Sequence, residues 1–155
     1  MYKKILAPLD GSKLAECVVD HIKSVATGCH VPAVVLLRVI PPISASGNAP
    51  DAMKESVSQG AREAAEIQAK NYLNEMAENL TAEGVAVETE IADGAAADEI
   101  LNYAEENDID LIIMSTHGKS GLSRWFSGSV ADRVIHHSMI PVLIVVPRGC
   151  RISRK

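Results

Sequence analysis

Three stretches of this chain are apolar almost without interruption: "AVVLLRVI" at 33–40, "DLIIMST" at 110–116 and "PVLIVV" at 141–146. None approaches the roughly 20 residues of a membrane span. A strand with one wet face alternates apolar and polar side chains, whereas a strand covered on both faces is apolar throughout. Runs of the second kind, separated by segments of helical composition, constrain the chain to a parallel sheet held between two helical layers. Arg38 is the one charged residue inside the 33–40 run.

The remaining segments fit this frame. "KKILAPLD" (3–10) reads as a buried strand that ends at Pro8 and the Asp10-Gly11 turn, with Ser12 placed to cap a helix. Leu14, Val18, Ile22 and Val25 then recur at helical spacing until Gly28. Residues 41–60, with Pro41, Pro42 and Pro50, carry no apolar period and read as a long connection, a candidate lid. Residues 61–83 are strongly helical, with Ala65, Ala69, Tyr72, Leu73, Met76 and Leu80 as the expected buried face. "VAVETEIA" (85–92) alternates as an edge strand does, and 95–109 and 129–138 read as helices. Five strands alternating with four helices predict an α/β domain with a largely parallel sheet and right-handed crossovers. The expected division is one domain over 1–147 and a short basic tail over 148–155.

Composition narrows the partners. A net charge of −5 lacks the basic footprint that nucleic acid requires, so none is expected as a partner. Arg148, Arg151, Arg154 and Lys155 make only a local basic tail. The N-terminus has too short an apolar stretch for a signal peptide. The three cysteines, Cys17, Cys29 and Cys150, show no metal or disulfide spacing. They read as reduced thiols, and the expectation is a cytoplasmic protein that does not enter membranes. His136 and His137 are adjacent on a helix and point about 100° apart, a poor metal pair.

Open parallel sheets bind ligands beyond the C-terminal ends of their strands, where the strand order reverses. Pro8-Leu9-Asp10, Val39-Ile40-Pro41 and Met114 to Ser129 belong to that edge. The last segment holds Gly118-Lys119-Ser120, which imitates the end of a Walker A loop. That motif needs a glycine five residues before Gly118, where Ile113 stands inside a strand, so the reading fails. A Rossmann glycine fingerprint fails as well, because "APLDGS" offers one glycine. Gly118, Gly121 and the pair Gly128-Ser129 still suit an anion, through close backbone N–H groups and a helix start. On spacing alone, a phosphate cradle and an ordinary turn with a helix cap stand about even.

The stretches "KKILAPLDGS", "DLIIMSTHGKSGLSRWFSGSVADRVI" (110–135) and "PVLIVV" resemble the universal stress protein family, from Tyr2 to about Pro147. The nucleotide motif of its ATP-binding branch, G-x2-G-x9-G-[ST], reads here as Ser115-x2-Gly118-x9-Gly128-Ser129, with serine in place of the first glycine. The resemblance implies a Rossmann-like, adenine nucleotide alpha hydrolase-like fold with strand order 3-2-1-4-5 and helices on both faces. It implies a binding site for ATP, ADP or AMP, with Mg²⁺ as an optional companion. Pro8, Leu9 and Asp10 would line this site, and Val39 would meet the adenine. Met114 and Ser115 would lie along the nucleoside, with Gly118, Gly128, Ser129 and Val130 around the phosphates. It also implies a homodimer paired through strand 142–146 and a role as a stress sensor or regulator.

No catalytic residue is read from the chain, and His117 is a lone histidine in a glycine-rich loop. Slow ATP hydrolysis is the most that the loop could support. The runner-up function is a dimeric interaction module of the same fold that uses no nucleotide, which Ser115 favours. An adenylating enzyme ranks third, because neither an S-G-G-x-D-S loop nor an H-I-G-H signature follows the first strand. Trp125 and Phe126 read as a loop anchor before they read as a partner-facing patch.

Overall fold

The computed structural model describes residues 2–43, 51–116 and 130–147. Its strands are β1 (Lys4–Pro8), β2 (Ala33–Ile40), β3 (Val87–Asp93), β4 (Leu111–Ser115) and β5 (Val142–Val145). They form one sheet in the order β3-β2-β1-β4-β5, with each neighbouring pair parallel. The helices are α1 (Val19–Gly28), α2 (Asp51–Ala82), α3 (Ala96–Glu106) and α4 (Val130–His137), and a 3₁₀ turn over Ala15–Val18 precedes α1.

The apolar runs behave as their composition demands. Along β2, Val34 and Leu36 enter one core layer while Val35 and Leu37 enter the other. The first layer takes Val18 and Ile22, with Leu73, Met76 and Leu80 of α2. The second takes Ala97, Ile100 and Ala104 of α3 and Ala131 and Val134 of α4. Helices therefore cover both faces, the first two connections on one side and the last two on the other. The chain start is pinned by Asp110, whose carboxylate accepts the amides of Lys3 at 2.6 Å and Lys4 at 3.2 Å.

The structure corrects two expectations. The stretch 51–60 is helical: α2 runs unbroken for 32 residues from Asp51, so the non-helical connection is shorter than the sequence pattern suggests. Its first turns bury little, with Met53 and Val57 more than half exposed. They have no core-facing period to betray them and rest on helix-forming residues and contacts such as Gln59 to Glu63 at 3.3 Å. Leu14 is also not in the buried stripe. The turn at Ala15–Val18 is 3₁₀, which rotates Ala15 and Val18 inward and leaves Leu14 exposed. The expected buried face of α2 holds, with Ala69, Leu73, Met76 and Leu80 buried and Ala65 and Tyr72 half-buried.

Candidate functional site

Parallel pairing of β1 with both β2 and β4 places the reversal of strand order between β1 and β4. Two strand ends named from the sequence, Pro8-Leu9-Asp10 and Met114-Ser115, flank that reversal. β1 continues one residue past its last paired position, because the Leu9 amide donates to the Leu37 carbonyl at 2.9 Å. The Leu9 side chain is buried in the first core layer, so Leu9 offers a ligand its backbone alone. Pro8 is half-buried.

Asp10 is exposed, and its Oδ1 accepts the Ser12 amide at 2.9 Å. The Ser12 hydroxyl in turn accepts the Ala15 amide at 3.1 Å, as its expected capping role requires. These two bonds fold the segment after β1 into an Asx turn that leads into the 3₁₀ turn. Gly11 between them has φ +80°, a conformation that L side chains seldom adopt. Asp10 thus serves as a turn former.

On the other side of β1, Val39 pairs with Ala92 of β3 and packs against the second core layer while remaining half-buried. Met114 is buried in that same layer. Ser115 is the last residue of β4 and is 7% exposed, so a side chain larger than glycine's is accommodated at a closed position of the sheet. The Thr116 amide continues the ladder to the Val145 carbonyl at 3.1 Å. Val130 opens α4 and is exposed. One turn further on, Arg133 pairs with Asp98 at 2.6 Å, joining the first turns of α4 and α3. Gly118, Gly128 and Ser129 lie outside the described residues, as do His117, Lys119, Gly121, Trp125 and Phe126.

Two residues that the sequence reading did not assign to the site bear on this edge. Arg38 directs Nη1 to the Leu9 carbonyl, a long contact at 3.4 Å, and its guanidinium lies over Gly11. Tyr72 of α2 packs against the first core layer, with its hydroxyl buried and without a hydrogen-bond partner among the described residues. Burial, and then the carboxylates of Glu16 and Asp10, push its pKa up to about 12, with Arg38 acting in the opposite sense. The signal for Arg38 was present as the single charge in an apolar run. Nothing in the pattern of α2 distinguished Tyr72 from its neighbours.

Comparison with known proteins sets this edge in context. The model of the universal stress protein family matches residues 1–146. A universal stress protein of Methanocaldococcus jannaschii, MJ0531, is 36% identical over 147 residues, spanning 94% of this chain and 82% of that protein. The chain belongs to the universal stress protein family. The solved structure of MJ0577 superposes with a TM-score of 0.80 at 34% identity, covering 96% of this chain and 99% of that one. Two more distant universal stress proteins share the fold. One, in complex with cAMP, has a TM-score of 0.70 at 21% identity and covers 94% of this chain and 97% of its own. The other, from Archaeoglobus fulgidus in complex with dAMP, has a TM-score of 0.62 at 23% identity, with 93% and 97% covered. Among the described residues no helix is long and apolar enough to cross a membrane, and no group of three or more His, Cys, Asp or Glu side chains is placed to hold a metal ion.

Proposed function

We propose that this universal stress protein binds an adenine nucleotide, ATP or AMP, where β1 and β4 diverge, and acts as a regulatory binding protein in the stress response. The observation that supports the reading is the position of Pro8–Asp10 and Met114–Ser115 at the ends of adjacent strands on either side of the reversal of strand order, with Val130 opening the following helix. Backbone groups at strand ends can read an adenine edge while half-buried apolar side chains such as Val39 flank its faces. The exposed carboxylate of Asp10 suits ribose hydroxyls. The binding of cAMP and dAMP by relatives of the same fold supports the same ligand class. Gly118, Gly128, Ser129 and Val130 are assigned to the phosphates, by their match to the family motif and by the preference of helix starts for anions. Residues 1–147 form the binding domain, and Mg²⁺ would accompany a triphosphate.

The test is direct. Purified protein is denatured and the released small molecules are identified by mass spectrometry, and the emptied protein is titrated with ATP and AMP by calorimetry. An adenine nucleotide in the released fraction, or saturable binding at micromolar to millimolar concentration, is expected. Gly128→Ala should weaken ATP binding more than Lys119→Ala, since a Cβ on a glycine assigned to close backbone contact would exclude the phosphate whereas a lysine charge screened by salt contributes less. No nucleotide released and no heat at millimolar ATP or AMP would leave the nucleotide-independent interaction module, the reading that Ser115 favours. Equal ATP affinities for wild type and Gly128→Ala would remove the phosphate cradle from the proposal.

A further inference from the structure

We infer that Arg38 is a positioning residue for the loop after β1, holding Leu9 and Asp10 in the shape in which they receive the nucleotide. The inference deepens the nucleotide reading and rests on it. Its origin is an anomaly in β2. Seven of the eight β2 residues are apolar and buried or half-buried, and a strand in such surroundings gains nothing from a charge. Arg38 is nevertheless there, half-buried, one position beyond the residue that pairs with Pro8. At that height β1 has ended, and the guanidinium reaches sideways to the loop instead of into the core.

Its contacts are with backbone. Nη1 donates to the Leu9 carbonyl, and the guanidinium atoms lie 3.7 to 3.9 Å from where a Cβ on Gly11 would be. That spacing is ordinary contact, so glycine is required at position 11 by its φ of +80°, while Arg38 closes the space beneath the turn. The charges of Glu16, Asp10 and Arg38 are all felt at the Tyr72 hydroxyl, the two carboxylates raising its pKa and Arg38 lowering it. Glu16 is further engaged by Lys13 at 3.0 Å. A cation that holds the Leu9 carbonyl and packs beside the Gly11 turn sets the direction of the loop before any ligand arrives. The ligand then need not supply the ordering free energy itself.

Three proteins test this: wild type, Arg38→Met, which keeps the apolar stem and removes the donors, and Arg38→Lys, which keeps charge and one donor group. Arg38→Met should weaken AMP binding about fivefold to tenfold, the scale of one ordinary hydrogen bond, as suits a contact at 3.4 Å. Its melting temperature should be unchanged or higher, because methionine suits an apolar strand at least as well as a half-buried charge. Arg38→Lys should recover most of the lost affinity. In nucleotide-free protein, Arg38→Met should also speed hydrogen exchange of the Ser12 amide, which Asp10 protects, several-fold more than that of the α1 amides. Unchanged AMP affinity, unchanged Ser12 exchange, or a lowered affinity that tracks a lowered melting temperature and is not relieved by lysine would each overturn the assignment. A wild type that binds neither AMP nor ATP would instead overturn the nucleotide reading, and the exchange measurement would then decide the role of Arg38 by itself.

Discussion

At the scale of single residues, the edge of the sheet shows how an exception in a pattern carries information. Arg38 interrupts an apolar run, and the structure gives it a backbone partner in the loop that the same run positions. Tyr72 is the opposite case: its place on the buried face of α2 was legible, but the surroundings of its hydroxyl were not. Its hydroxyl is buried without a partner among the described residues, an arrangement that costs roughly 1–3 kcal/mol against a satisfied or solvated one. Tyr72→Phe removes that group and keeps the ring, so urea unfolding at pH 7 should show stability unchanged or raised by about 1 kcal/mol. A loss of more than about 1 kcal/mol would mean that the hydroxyl is satisfied in solution. The alkaline limb offers an independent check. Burial raises the pKa from 10.0 to about 12, so the folded state holds the phenolic proton where the unfolded chain releases it. The contribution of that proton is complete below pH 10 and disappears as the pH rises from 10 to about 12. Across that window the stability of Tyr72→Phe should fall less steeply than that of the wild type.

At the scale of elements, the strands were legible and the long helix only in part, for a physical reason. β2 was bounded correctly at Ala33–Ile40 because every one of its neighbours demands apolar side chains. The buried half of α2 was legible through Ala69, Leu73, Met76 and Leu80, which meet the sheet. The half from Asp51 onward was not, because periodicity reports burial and this half has little of it. Arg62 pairs with Asp93 at the end of β3, but both side chains are at least half exposed, and such a pair contributes about 0–1 kcal/mol. The exposed half of α2 should therefore open locally, without unfolding the domain. Gly60 lies within it with no heavy atom within 4 Å of a would-be Cβ, so alanine fits and gains helix propensity of about 1 kcal/mol. Gly60→Ala should slow amide exchange around residues 56–64 about threefold to fivefold while leaving the melting temperature nearly unmoved. A rise of several degrees in melting temperature would show instead that α2 opens only with the whole domain.

At the scale of the whole molecule, the parallel sheet places the two edges in different situations. β3 presents Glu88 and Glu90 among its residues, and charge along an edge discourages further pairing. β5, "VLIV", has no charge, pairs only with β4 among the described residues, and leaves Leu143 and the following Val146 exposed at 37% and 53%. Met139 and Ile135, at 88% and 47%, extend the same apolar ground toward α4. A monomer that kept this edge in water would forgo burial worth about 25 cal/mol for each Å² of apolar surface and would expose an aggregation-prone strand. Pairing of two copies through β5 removes both problems and is the assembly we propose. The side chain that faces solvent at the edge should decide it: Leu143→Lys, or Val146→Asp, puts a charge where two apolar strands would meet and leaves the core untouched. Sedimentation equilibrium should give a dimer for the wild type and a monomer for either variant, with far-ultraviolet dichroism unchanged. A wild type that sediments as a monomer at tens of micromolar would refute the assembly, and a dimer in both variants would move the interface away from β5. The proposed nucleotide site lies at the C-terminal ends of β1 and β4, and β5 is the next strand to β4. Pairing through β5 would thus hold two nucleotide sites at a fixed separation, each one strand removed from the shared edge.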